Sequence, residues 1–129
     1  MEASEFLSNL FAPTDLIEFR MLPGAYSKWC AASDAAGMVD ALNKDNATGR
    51  NIYFGVNPRK AQGGRSLADV ALARCVFIDI DKMTDLDFAQ SVVQDAGLPK
   101  PTFVVFSGGG LHFYWMLDEP ITDLSLIHI

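Results

Sequence analysis

Residues 74–82 read Arg-Cys-Val-Phe-Ile-Asp-Ile-Asp-Lys, an apolar run closed by two aspartates one residue apart. Such a run of β-branched and aromatic residues predicts a strand. Side chains alternate between faces along a strand, so Asp79 and Asp81 share a face with Cys75 and Phe77, while Val76, Ile78 and Ile80 take the other. At a rise of ~3.3 Å per residue the two aspartate Cα atoms lie about 6.5 Å apart, near enough for both carboxylates to converge on one divalent cation or a bridged pair. Like charges at that spacing repel, which favours a site built to hold a metal. An Asp-x-Asp alone is also what a strand end with two solvated acids looks like, so its meaning depends on what the chain places beside it.

Further along, residues 106–115 read Phe-Ser-Gly-Gly-Gly-Leu-His-Phe-Tyr-Trp. The pattern predicts a hairpin, with a strand over 102–106, a turn over 107–110 and a return strand over 111–117 that ends before Pro120. With Gly108-Gly109 as the turn, Ser107 opposes Gly110 and Val105 opposes His112. That register puts His112 on one face with Tyr114, Met116 and Phe103. Three consecutive glycines exceed what a two-residue turn requires. Bare backbone would let the phosphates of a nucleotide approach the amide N–H groups, with His112 in reach of a ligand over the turn. A histidine in an aromatic strand can also be a core or edge residue, and the neighbouring acid pair is what favours a role in a site.

Upstream, Ser4 is placed to cap a short amphipathic helix through Phe6, Leu7, Leu10 and Phe11 that stops near Pro13. A strand follows over 16–22, with Ile17 and Phe19 alternating against Glu18 and Arg20, then a Pro23-Gly24 turn and a partner strand over 26–32. Ser33 or Asp34 caps a helix with Ala35, Met38, Val39 and Leu42 on one face, ended within 43–49. Residues 51–56 form a further strand, and Ser66 caps a short helical turn leading to the aspartate strand. After that strand, Thr84 or Asp85 caps a helix with Leu86, Phe88, Ala89, Val92 and Val93, closed by Gly97. The expected fold class is therefore α+β, one small domain with a mainly antiparallel sheet and helices packed on it.

The 129 residues are half hydrophobic and one-fifth charged, an ordinary globular composition. The N-terminus carries Glu2 and Glu5 and no long apolar run, which argues against a signal peptide or membrane span and for a cytoplasmic protein. Cys30 and Cys75 belong to no paired metal pattern and read as reduced thiols. A net charge of −6 argues against a generic nucleic-acid binder. The bases Arg50, Arg59, Lys60, Arg65 and Arg74 are nevertheless gathered in 50–74, a local positive segment before the aspartates that a phosphate-bearing ligand would favour.

The aspartate and Gly-Gly-Gly-Leu-His stretches together resemble the first two motifs of the archaeo-eukaryotic primase superfamily, and most of all the primase-polymerases of phages and plasmids. The segment Asn-Ile-Tyr-Phe-Gly-Val-Asn-Pro-Arg at 51–59 is also similar to what precedes the aspartate strand there, and the resemblance runs over roughly residues 15–120. It implies a fold containing an RNA-recognition-like sheet. It implies Asp79 and Asp81 as ligands of catalytic Mg2+ or Mn2+, and His112 as a catalytic contact to the triphosphate. Ser107, Gly109, Gly110, Arg59 and Arg65 are the further candidate nucleotide contacts. The implied reaction is template-directed nucleotidyl transfer, primer synthesis or DNA polymerisation in replication of a mobile element. Its partners would be nucleoside triphosphates, a single-stranded DNA template and a helicase domain or protein, with no membrane.

Two departures accompany the resemblance. The family often carries serine two residues before the histidine, where this chain has Gly110. Its third acidic residue, on a later strand, has no candidate here, because Asp118, Glu119 and Asp123 follow the hairpin closely and read as a polar turn. The expectation is a partial catalytic domain over 1–123 that is inactive as it stands. The last residues, Leu-Ser-Leu-Ile-His-Ile at 124–129, back-translate as CTG TCT CTT ATA CAC ATC, the transposon-end adaptor of sequencing libraries. They are expected to be non-native, with His128 a ligand of nothing; finding those codons in the source genome would refute this.

Two rival readings use the same residues. A haloacid dehalogenase-like phosphohydrolase also uses an apolar strand ending in Asp-x-Asp and a later strand ending in serine, as at Phe106-Ser107. It leaves the glycine-histidine hairpin unexplained. A non-catalytic module could bind nucleotide or nucleic acid through exposed aromatics such as Tyr114.

Overall fold

The structure is a computed structural model that describes residues 1–64 and 66–126. Among the described residues it is an α+β fold with three α-helices and two three-stranded antiparallel sheets. The strands expected in one sheet divide between two compact units, residues 1–74 with 119–129, and residues 75–118. The reason is local pairing: each sheet is built around a hairpin of sequence neighbours, and each has its own apolar cluster.

In the first unit, helix α1 (Ala3–Leu10) is followed by strands β1 (Leu16–Leu22) and β2 (Tyr26–Ala31), helix α2 (Ala35–Ala47) and strand β3 (Asn51–Phe54). The sheet order is β2-β1-β3, all antiparallel, with Phe19 opposite both Lys28 and Phe54. Ile17, Phe19 and Met21 alternate into the core, and the rings of Phe6 and Phe11 meet Phe54 edge-on. Helix ends depart from expectation. α1 begins at Ala3 with Glu2 rather than Ser4 at its cap. Neither Ser33 nor Asp34 caps α2 through its side chain, because a 3-10 turn over Ala32–Asp34 runs straight into the helix and holds Asp34 out of the extended cap geometry. α2 ends at Ala47, inside the 43–49 stretch expected to close it. Ser66 does form its capping box, with Asp69.

In the second unit, strand β4 (Ala73–Asp81), helix α3 (Leu86–Asp95), strand β5 (Phe103–Phe106) and strand β6 (Gly110–Ile121) make a sheet of order β4-β6-β5; the first two residues of β4 and the last three of β6 belong to the first unit. Asp85 caps α3 by accepting the Phe88 N–H, and Gly97 ends it with φ +79°. Ala89 and Val93 of α3 pack on Leu111 and Phe113, with Ile80, Val104 and Trp115 at the margin of that cluster. Phe88 and Val92, counted with the apolar face in sequence, stay exposed.

β6 overruns Pro120, so Asp118 and Glu119 lie in a strand and not in a polar turn. Pairing with β5 ends at Tyr114, so Pro120 lies beyond that ladder. Among the described residues no helix is long and apolar enough to cross a membrane.

Candidate active site

β4 and β6 bring the two sequence motifs together. The helix α3 takes up one face of the sheet, which claims Ile80, Leu111 and Phe113 for the core. By alternation the opposite face receives Phe77, Asp79 and Asp81 from β4 and His112 and Tyr114 from β6. There His112 Nε2 lies 3.4 Å from Asp79 Oδ1, and the ring of Phe77 stacks on Tyr114 at a centroid distance of 6.0 Å. Asp79 and Asp81 are exposed, at the end of β4 where the strand leaves the sheet.

The hairpin register is the expected one. Val105 pairs with His112 and Phe103 with Tyr114, and Ser107 N–H donates to Gly110 O at 3.0 Å. The three glycines serve three separate purposes. Gly108, at φ +86°, supplies the left-handed residue of the turn. Gly109 accepts the Lys82 N–H through its carbonyl at 2.7 Å, tying the turn to the end of β4. Gly110 is buried with no room for a side chain, since a Cβ would fall under 3.0 Å from Ile80 O. The glycine at the position where the resemblance expects serine is thus demanded by the approach of β4. Ser107 and Gly109 are exposed at the tip.

Lys82, directly after Asp81, has φ +59°, a left-handed conformation that costs a lysine on the order of 1–2 kcal/mol. Sequence offered no signal for it, because lysine is not a residue that announces a positive φ. Tyr114, read from sequence as a stacking aromatic, is only 1% exposed, and its hydroxyl lies 3.2 Å from His112 Nδ1. Its placement could have been read from the i, i+2 spacing. Burial, then the neighbouring Cys75 and Asp79, push its phenol up to about 12. The Cys75 thiol is pushed up to about 11 by burial.

The expected positive segment is largely spent inside the first unit. Arg74 holds Asp15 through two nitrogens, at 2.5 and 3.1 Å, and Arg50 lies over the Tyr26 ring and 3.9 Å from Asp45. Arg59 reaches 3.8 Å from Glu18 and lies against Gly55. Glu18 is 6% exposed, although its alternation with Ile17 and Phe19 predicts an outward carboxylate. The Arg59 guanidinium beside it offsets part of the cost of burying that carboxylate. Arg59 thus faces an interior carboxylate of the first unit. Arg65 and His128 lie outside the described residues.

Two carboxylates on one strand face are hard oxygen donors of the kind Mg2+ and Mn2+ accept, and such ions are commonly held by one or two carboxylates with substrate phosphates completing the shell. Asp79 and Asp81 fit that requirement in type, exposure and position. Among the described residues no group of three or more His, Cys, Asp or Glu side chains is arranged to hold a metal.

No family model and no curated protein matches the chain. Its structure is similar to that of the AEP domain of the cyanophage S-2L primase-polymerase, with a TM-score of 0.63 and 24% sequence identity over 92% of this chain. The match covers 62% of that chain. At this identity the likeness shows a shared fold.

Proposed function

We propose that the Asp79–Asp81–His112 face is the nucleotidyl-transfer centre of a primase-polymerase, acting in replication of a phage or other mobile element, of which this chain carries a part of the catalytic domain. The observation that carries this reading is the convergence of two exposed carboxylates at the end of β4 with His112 of β6, 3.4 Å from Asp79, beside a bare glycine turn. The fold shared with a phage primase-polymerase domain supports it.

In this reading Asp79 and Asp81 hold divalent ions, whose chemistry there is to acidify a 3′-hydroxyl and neutralise charge on departing pyrophosphate. His112 presents an N–H donor to anionic triphosphate oxygens on the same face. The exposed tip at Ser107 and Gly109 leaves room for phosphate to approach the backbone. A single-stranded template would supply the pairing base, and a helicase domain or protein the unwound strand.

Equilibrium titration of the chain with a mixture of nucleoside triphosphates, with and without Mn2+, tests the reading. Binding should require the metal and be lost in Asp79→Ala and Asp81→Ala, while both variants melt within about 0.5 kcal/mol of the parent because the carboxylates are exposed. Metal-independent binding, or binding that survives loss of both carboxylates, would discard the assignment.

A further inference from the structure

We propose that Tyr114 is a positioning residue that holds the His112 ring by its Nδ1, so that Nε2 carries a proton and presents its donor on the Asp79 side. The inference rests on the nucleotidyl-transfer reading for its purpose, and on the geometry of β4 and β6 for its existence. His112 lies between two oxygens, Asp79 Oδ1 at 3.4 Å from Nε2 and the Tyr114 hydroxyl at 3.2 Å from Nδ1. A carboxylate only accepts, whereas a phenol can donate or accept. A proton on Nδ1 would leave the Nε2 lone pair facing a carboxylate oxygen, acceptor against acceptor. With the proton on Nε2, the imidazole donates towards Asp79 and Nδ1 accepts from the Tyr114 O–H, and both contacts are attractive.

The phenol is well placed for this task. Tyr114 is buried, its ring is stacked on Phe77 of β4, and its backbone is held in register opposite Phe103 of β5, which restricts the hydroxyl to the His112 side. Burial also raises its ionisation to about 12, which keeps the donor proton on the oxygen at any physiological pH. The imidazole ring stands at 65° to the phenol with centroids 6.2 Å apart, an edge contact that brings Nδ1 to the hydroxyl. A donor held at Nε2 before a ligand arrives is what an anionic oxygen requires, with no proton rearrangement on binding.

The test is long-range 1H–15N correlation of the His112 ring in the His128→Gln background, which leaves one imidazole, at ~pH 8.5, about two units above the reference value of a free imidazole. The parent should show the proton on Nε2, with Nδ1 shifted as a hydrogen-bonded acceptor. Tyr114→Phe keeps the ring and removes the hydroxyl. It should move the Nδ1 resonance towards that of a free acceptor and weaken triphosphate binding about tenfold, leaving Mn2+ affinity unchanged. A parent spectrum with the proton on Nδ1, or an Nδ1 resonance unmoved in Tyr114→Phe, overturns the proposal. If Tyr114→Phe fails to fold, the parent spectrum decides. If the Nδ1 shift behaves as stated but nucleoside triphosphates with Mg2+ move no His112 resonance in the parent, the positioning role stands and the nucleotidyl-transfer reading falls.

Discussion

Gly110 of β6 lies so close to Ile80 of β4 that a Cβ on the glycine would come under 3.0 Å from the Ile80 carbonyl oxygen. Both partners are backbone, so no flexible side chain can yield. The contact seats the start of β6 beside the end of β4, where Asp79 and Asp81 emerge. Gly110→Ser, which restores the residue type the resemblance expects, should cost about 3 kcal/mol in urea denaturation by overpacking. It should also weaken metal-dependent nucleotide binding, whereas Gly109→Ser, with open space around it, should be within about 1 kcal/mol of the parent. Equal stability of the two variants would show that the close approach is not demanded.

The Glu18–Arg59 pair predicts a different loss. Removing the guanidinium leaves a carboxylate that is 6% exposed without its cation. Arg59→Ala should therefore destabilise the chain by about 3 kcal/mol, more than an exposed arginine would. The double variant Glu18→Gln with Arg59→Met should recover much of that loss. A double-mutant cycle in urea with no coupling between the positions would count against an interior ion pair.

Alkaline pH should expose the buried thiol. Cys75 ionises at about 11 in the folded chain, against an ordinary 9.0, because burial penalises the thiolate. The unfolded chain releases this proton first, so the stabilising contribution is intact below pH 9.0 and is lost as pH rises towards about 11. Urea midpoints across that interval should fall more steeply for the parent than for Cys75→Ala. Parallel slopes would place the thiol in contact with solvent.

Lys82 should tolerate, and benefit from, the loss of its side chain. Its φ of +59° is ordinary for glycine and strained for lysine. Lys82→Gly should raise stability by up to about 1 kcal/mol, the strain relieved being partly offset by the greater freedom of an unfolded glycine. A loss of stability would mean that the lysine side chain makes a compensating contact.

Much of the fold was written in local pattern. Period-two alternation and the Pro23-Gly24 turn locate the β1–β2 hairpin, and the glycine run sets the β5–β6 register residue by residue, because a turn of given length leaves one pairing that buries the apolar face. The shared face of Asp79 and Asp81 likewise follows from alternation alone. Ser4 was misread as the cap of α1, where Glu2 stands, and Asp34 takes the N-cap position of α2 without a side-chain hydrogen bond, because the φ/ψ with which the chain arrives decides whether a cap forms.

What sequence could not supply is whatever depends on residues far apart in the chain. That the strands divide into two sheets, that Glu18 is buried under Arg59, and that Arg74 is spent on Asp15 are decided by which segments meet in space; net charge and spacing carry no record of that meeting. The same holds at the candidate site. Sequence alone determined that the chain has two acids on one strand face and a histidine one residue past a glycine turn. Only the pairing of β4 with β6 decided that Asp79 faces His112, that Tyr114 stands behind it, and that Gly110 can be nothing but glycine, because packing distances of a few ångströms are set by the assembled sheet and not by any stretch of it.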